Sequence, residues 1–565
     1  MLSRLLFFAS VSGAFVVPEI VFQKGGVNGG VASENAECSR IGRNVLLMGG
    51  NAVDSLVATT FCIGVVASHH SGIGGGGFAV VRDENGEYEV IDFRETAPAA
   101  ASEDMYDGNV EGSVTSGLSV GVPGEVRGLE YMHKKYGKLS WESLLEPATA
   151  IARNGWKVGP DTIRYMNAVI TGHRNIFLED PAWMEHFAPN GKLVQVGDTM
   201  YRKNYADTLE KIGKYGADAF YTGEIAESMI SIIQKQNGTM TLQDLESYQA
   251  ISREPLEISY RGYKLHTSGV PSSGAILMGI LKIMEQYPVQ DWDDVDLTVH
   301  RFSEAMRFAY GARLELGDPG FVPESIKTER SMVTDEWAES VRRRILDDQT
   351  QPVEVYDPRE LYTTEGQGTS HIVTADKSGM ATSMTTTVNL LYGSQIMDPV
   401  TGIVLNNEMN DFSIPNVSNE FGFAPSAANF IRPNKRPLSS ITPVIIEVPA
   451  DPRSASPAKL YATVGAAGGS RIISATTQVI WHLLEHDFSL RRALAEPRLH
   501  DQLMPNHVMF EYGFDNTTVD SMRDRGHKIV RVGEGLSAVH AVRVHGGVFE
   551  AEAEPRQKDS GGWTA

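Results

Sequence analysis

Apolar residues recur on a helical period over residues 51–67, without a proline, and predict a buried helix. A glycine run follows, Gly72-Ile73-Gly74-Gly75-Gly76-Gly77, and then the period changes to that of strands. Residues 78–81 and 88–93 flank Asn85-Gly86, the signature of a hairpin. The helical period dominates from 125 to about 235 and closes at the turn signal Asn237-Gly238. Residues 263–267 predict a strand, and 273–287, 299–316 and 335–348 predict helices. A polar stretch, 349–367, separates this half from one rich in strands. There, 371–375 and 380–388 flank the turn Asp376-Lys377-Ser378-Gly379, and 443–448 and 459–464 flank a Pro/Ser-rich tip, 449–457. Residues 474–485 predict a helix. Length alone suggests ~3–4 domains. With no repeat and no linker, the pattern instead predicts one mixed α/β (α+β) unit whose halves share a core.

Composition narrows the partners. The chain is 42% hydrophobic and 21% charged, and its 71 acidic against 50 basic residues give a net charge of -21. That balance argues against nucleic acid or an anionic membrane as the main partner. Residues 1–14 read as a secretory signal: Arg4 is the basic start, residues 5–11 are apolar, and Ser12-Gly13-Ala14 is a small-residue cleavage site. The apolar run through Val17 is about 13 residues, stopped by Pro18-Glu19. A bilayer needs ~20. A signal-anchor is the alternative reading. Sequons at Asn237, Asn416 and Asn516 fit a secretory route. Cys38 and Cys62, the only cysteines, are either one disulfide or two buried thiols.

Three short motifs lack the context that their chemistry needs. Gly72 to Gly77 satisfies GxGxxG, but a dinucleotide loop follows a strand and opens a helix, and here the order is reversed. Gly117-Leu118-Ser119-Val120-Gly121 satisfies GxSxG, but Val122-Pro123-Gly124 follows where a nucleophile elbow needs a helix. His482-Leu483-Leu484-Glu485-His486 matches HxxEH, without an identifiable third ligand.

A different nucleophile is legible in Gly368-Thr369-Ser370-His371. A threonine hydroxyl needs a base, and an α-amine on the same residue, with a pKa of ~8, is one. Thr369 is internal, so a cut between Gly368 and Thr369 would have to create that amine. Thr387 and Asn389 lie across a predicted hairpin, on the strand returning toward Thr369.

Further along stand residues 402–413 (Gly-Ile-Val-Leu-Asn-Asn-Glu-Met-Asn-Asp-Phe-Ser), Pro437-Leu438-Ser439-Ser440 and Gly465-Ala466-Ala467-Gly468-Gly469. The first half adds Cys38-Ser39-Arg40-Ile41-Gly42, the glycine run, Asp92-Phe93-Arg94-Glu95-Thr96-Ala97-Pro98 and Gly121-Val122-Pro123-Gly124-Glu125. In this order, over roughly residues 30 to 565, the chain resembles the γ-glutamyltransferases (glutathione hydrolases). The resemblance implies the αββα four-layer sandwich of N-terminal nucleophile hydrolases. It also implies self-cleavage into a large subunit, 15–368, and a small subunit, 369–565. Thr369 would be the nucleophile, Thr387 its hydrogen-bond partner, and Gly468 and Gly469 the oxyanion donors. Asn389, Glu408 and Asp411 would bind the glutamyl α-amino group, with Arg94, Ser439 and Ser440 on the carboxylate side. A zwitterionic head needs carboxylate acceptors opposite a guanidinium, which suits this set. The same resemblance implies a Cys38–Cys62 disulfide, no cofactor and no metal. Its implied partners are glutathione and other γ-glutamyl compounds, with amino acid or dipeptide acceptors. Asn410 stands where many relatives carry a first Asp, and Val373 where many carry Ser. A glutaryl or cephalosporin-type acylase of the same fold is one rival; it would leave Glu408 and Asp411 without evident purpose. A processed but non-catalytic binding protein is another, and should have lost Thr369, Thr387 or the glycine pair.

Overall fold

The computed structural model describes residues 25–170, 174–357, 359, 361–362, 368–417, 424–449 and 458–565. The predicted signal, the 363–367 stretch before the predicted cleavage site and most of the 449–457 tip lie outside them. Two antiparallel sheets form its centre. The first has seven strands, in the order Gly561–Thr564, Gly29–Ser33, Gly368–Asp376, Ala381–Asn389, Gly76–Arg82, Tyr88–Phe93 and Ile251–Arg253. The second has six, in the order Val548–Glu552, Ala538–His545, Lys459–Ala467, Val444–Val448, Tyr263–Thr267 and Leu256–Tyr260.

Small and β-branched residues from both sheets meet between them: Ala32, Val80, Val373 and Ala375 from the first, Ile445 and Val542 from the second. Helices Ala36–Leu47 and Ala52–Val66 cover the outer face of the first sheet. Gly274–Glu285, Val295–Arg313 and Arg471–Glu485 cover that of the second. The order helices, sheet, sheet, helices is the αββα sandwich. Every residue of Ala52–Val66 is buried, so that helix is packed on all sides, its Thr59 and Thr60 hydroxyls donating to carbonyls one turn back. Its N-terminus is held by Asn51 and Asp54 in a capping box and by Asp376 Oδ2, which accepts from Ala52 N at 2.8 Å. The hairpin turn is thereby fixed to the helix that covers it.

The predicted hairpins form with the expected partners, and the predicted helices recur with shifted ends. The helix placed at 335–348 stops at Arg342, and Ile345, just past the turn that follows, joins the core. Cys38 and Cys62 form a disulfide between the two helices on the first sheet, closing a separation of 24 residues. A loop of this size confines the unfolded chain by about 3 kcal/mol. Replacing both cysteines by alanine should therefore lower the thermal midpoint, measurable by calorimetry, while sparing the site. Among the described residues no helix is long and apolar enough to cross a membrane.

Candidate active site

Thr369 sits at an irregularity in the central hairpin. Gly368 pairs with Asn389 and Ser370 with Thr386, so Thr369 alone faces two residues, Thr387 and Val388. A bulge re-aims side chains. Here it turns the Thr369 hydroxyl toward that of Thr387, 3.5 Å away. Thr387 Oγ1 accepts from Asn389 N at 2.7 Å and donates to the Gly368 carbonyl oxygen at 2.5 Å. The carbonyl preceding Thr369 is thus polarised by the residue beside the hydroxyl that would attack it.

The glycine run explains how the strands come so close. A Cβ on Gly75 would stand 1.9 Å from the Thr387 carbonyl oxygen, and one on Gly77 2.0 Å from that of Thr385. The run joins a helix to strand Gly76–Arg82 and serves close packing. Gly117–Ser119 is a single 3-10 turn in which the Ser119 hydroxyl donates to Ser116 O at 2.6 Å, so GxSxG is a turn too. In HxxEH, the His482 and His486 rings lie 5.7 Å apart, but Glu485 accepts from Tyr260, Arg261 and Trp292 instead.

Thr369 and Thr387 line a narrow cleft together with Arg94, Asn389, Glu408, Asp411, Ser439, Ser440 and Gly469. Nearly the whole predicted set is brought together, from six separate segments. Gly468 precedes the cleft wall with φ 127°, followed by Gly469 at φ 62°, conformations that glycine adopts without strain. Arg94, 1% exposed, donates through its two terminal nitrogens to Glu408 Oε1 and Asp411 Oδ2. Asn389 Nδ2 donates to Asn407 O at 3.0 Å, leaving its amide oxygen as the acceptor. Ser439 Oγ accepts from Ile441 N at 3.2 Å.

Two neighbours escape sequence inspection. Arg313, at the end of its helix, donates to Ser273 Oγ at 3.0 Å and to Ser440 Oγ at 3.1 Å, putting a second cation on the cleft wall. Glu95 is buried, and neither carboxyl oxygen has a hydrogen-bond partner. One of them lies 4.0 Å from Arg94 Nη1. Burial pushes Glu95 up to about 8 against the pull of Arg94. Burial likewise raises Glu408 well above the carboxylate range. Burial opposes the charge of Arg94, yet Glu408, Asp411 and Glu95 outweigh it and hold the guanidinium above its ordinary value. Three carboxyl groups thus gather around one guanidinium.

The gamma-glutamyltranspeptidase family profile matches residues 38–563. The chain belongs to that family. A glutathione hydrolase proenzyme of Arthroderma benhamiae is 48% identical to this chain over 546 residues, 94% of this chain and 92% of its own. A cephalosporin acylase structure from Bacillus halodurans superposes with a TM-score of 0.82, covering 98% of this chain and 99% of its own. At 24% identity, that likeness speaks for the fold alone. The γ-glutamyltranspeptidase of Helicobacter pylori is 34% identical, with a TM-score of 0.53 over 56% of this chain and 91% of that one. The sandwich is therefore the N-terminal nucleophile hydrolase fold, and the chain is an enzyme of this family.

Proposed function

We propose that this enzyme cuts itself between Gly368 and Thr369 and then hydrolyses or transfers γ-glutamyl groups, with glutathione as the donor. The observation that carries the reading is the bulge. It puts the Thr369 hydroxyl beside Thr387, whose own hydroxyl holds the Gly368 carbonyl, at the edge of a cleft containing Arg94, Glu408 and Asp411. In the uncut chain, Thr369 Oγ1 attacks the Gly368 carbonyl carbon and the peptide C–N bond breaks. The acyl group passes to oxygen as an ester, and the amine takes the hydroxyl proton. Water then opens the ester, leaving Gly368 as a carboxylate and Thr369 with a free α-amine.

In the cut enzyme that amine takes the Thr369 hydroxyl proton as the oxygen attacks the γ-amide carbon of the donor. Gly468 and Gly469 offer backbone N–H groups to the oxyanion. The proton passes to the leaving amine, cysteinylglycine when the donor is glutathione. Water or an acceptor amine then resolves the glutamyl ester. Arg94 meets the donor α-carboxylate; Asp411, Glu408 and the Asn389 amide oxygen meet its ammonium, and Ser439 and Ser440 flank the carboxylate. Incubation with glutathione should release glutamate and cysteinylglycine, and added glycylglycine should divert part of the glutamate into a γ-glutamyl peptide. Cleavage of a glutaryl amide with glutathione left intact would support the acylase reading instead.

We further infer passage through the secretory route, supported by residues 1–14 and by the exposure of Asn237, Asn416 and Asn516. Protein from a eukaryotic secretory host should begin after about Ala14 and shrink on glycosidase treatment. A cytosolic product retaining Met1 would overturn this.

A further inference from the structure

On helix Val295–Arg313, whose last residue reaches the cleft, His300 and Glu304 stand one turn apart, so both side chains leave the same face. His527, from the segment before strand Ile529–Val532, completes a group whose ligand atoms all lie within 4.8 Å of one another. All three are buried. His300 Nδ1 is 2.8 Å from His527 Nε2, and His527 Nε2 is 3.9 Å from Glu304 Oε1. Each helix ligand is fixed from behind. His300 Nε2 donates to Leu346 O at 2.7 Å, which leaves Nδ1 as the lone-pair nitrogen. Glu304 Oε1 accepts from Thr350 at 2.7 Å and Oε2 from Tyr356 at 2.6 Å. Such outer bonds orient the ligands of metal sites. His527 Nδ1 is buried without a hydrogen-bond partner.

We propose that His300, Glu304 and His527 bind a divalent transition metal, Zn²⁺ by ligand type, that links the two pieces of the cleaved enzyme. The proposal rests on cleavage at Thr369 only for that last clause: His300 and Glu304 precede the cut and His527 follows it. Two imidazoles and a carboxylate are a zinc-type donor set. With metal–ligand bonds of about 2.0–2.2 Å, tetrahedral neighbours stand roughly 3.3 Å apart. The two histidine nitrogens therefore separate by about half an ångström and His527 and the carboxylate close by about as much, while His300 and the carboxylate start within 4.8 Å of each other. The proton shared between the imidazoles moves to His527 Nδ1, the nitrogen now lacking a partner, so no net proton is released. A polar cavity of about 390 Å³, lined by His527, Thr350, Arg307 and Asn506, provides an entry path and water for the fourth position. Arg307 also faces the group; its charge is countered by Asp501 at 3.3 Å and engaged by Asn506 at 2.9 Å.

The test is titration of chelator-treated, cleaved enzyme with Co²⁺ and, in parallel, Zn²⁺. The expected result is one metal per large–small pair, visible bands of tetrahedral Co²⁺, and a thermal midpoint higher by roughly 2 °C at a hundredfold excess over Kd. His527→Gln and Glu304→Gln should abolish the bands, while His482→Gln, in the unrelated HxxEH motif, should keep them. Residual glutathione hydrolysis certifies that a variant is folded. No uptake by wild type, or uptake unchanged in either variant, overturns the site and leaves a buried hydrogen-bonded histidine pair.

Discussion

Thr369→Ala should accumulate as one uncut chain that hydrolyses no glutathione. Both losses have one cause. The hydroxyl lying 3.5 Å from Thr387 Oγ1 is the group that attacks the Gly368 carbonyl and, after the cut, the donor. The alanine chain keeps the bulge and the Thr387 bond to the Gly368 carbonyl, because neither uses the Thr369 side chain. It should therefore fold normally, with an unchanged thermal midpoint. Thr369→Ser keeps the oxygen but loses the methyl that restricts its rotamer, so it should cut slowly and retain part of the activity. Gel electrophoresis and a glutathione assay on the same preparations check both statements. Full activity in an uncut Thr369→Ala chain would remove this residue from the mechanism.

Arg94→Ala should lower kcat/KM for glutathione by roughly 30- to 4,000-fold, the equivalent of ~2–5 kcal/mol for breaking a desolvated charge pair. Its guanidinium is the counter-charge of Glu408 and Asp411 and lies beside Glu95. Without it, Glu408 and Asp411 lose their counter-charge and the donor carboxylate loses its guanidinium partner. Asp411→Ala removes one acceptor only and should cost less within the same range. Arg94→Lys should not rescue, since one ammonium cannot reproduce two directed N–H bonds. Self-cleavage uses no substrate and should proceed in all three. Near-normal kcat/KM in Arg94→Ala would mean that the donor head is bound elsewhere.

The hairpin carrying Thr369 was legible because its polar turn, Asp376 to Gly379, stands between two strand-like runs, and such local signals survive into the fold. Strands Gly29–Ser33 and Gly561–Thr564 were not: they are short, glycine-rich and stabilised by each other across the whole chain. Helix Ala36–Leu47 is missing from the sequence prediction although Cys38, Ile41, Gly42, Val45 and Leu46 recur at helical spacing against Arg40, Arg43 and Asn44. In the site, the motif residues Arg94, Glu408 and Asp411 were found through resemblance, and their convergence is a fact of tertiary packing. Arg313 carries no local signal, and Glu95 stands in the motif Asp92 to Pro98 without an implied role. Arg313 reads as a helix-end cation, and Glu95 as one more surface acid, until the fold buries both. The bulge is equally silent, since the one-against-two register exists only between paired strands.

N-terminal sequencing of the smaller fragment in purified, active wild-type enzyme tests the central claim most directly. The account predicts a single new terminus reading Thr-Ser-His-Ile, beginning at Thr369. Full glutathione hydrolysis by an uncut chain, or by a fragment whose terminus lies anywhere else, would contradict it.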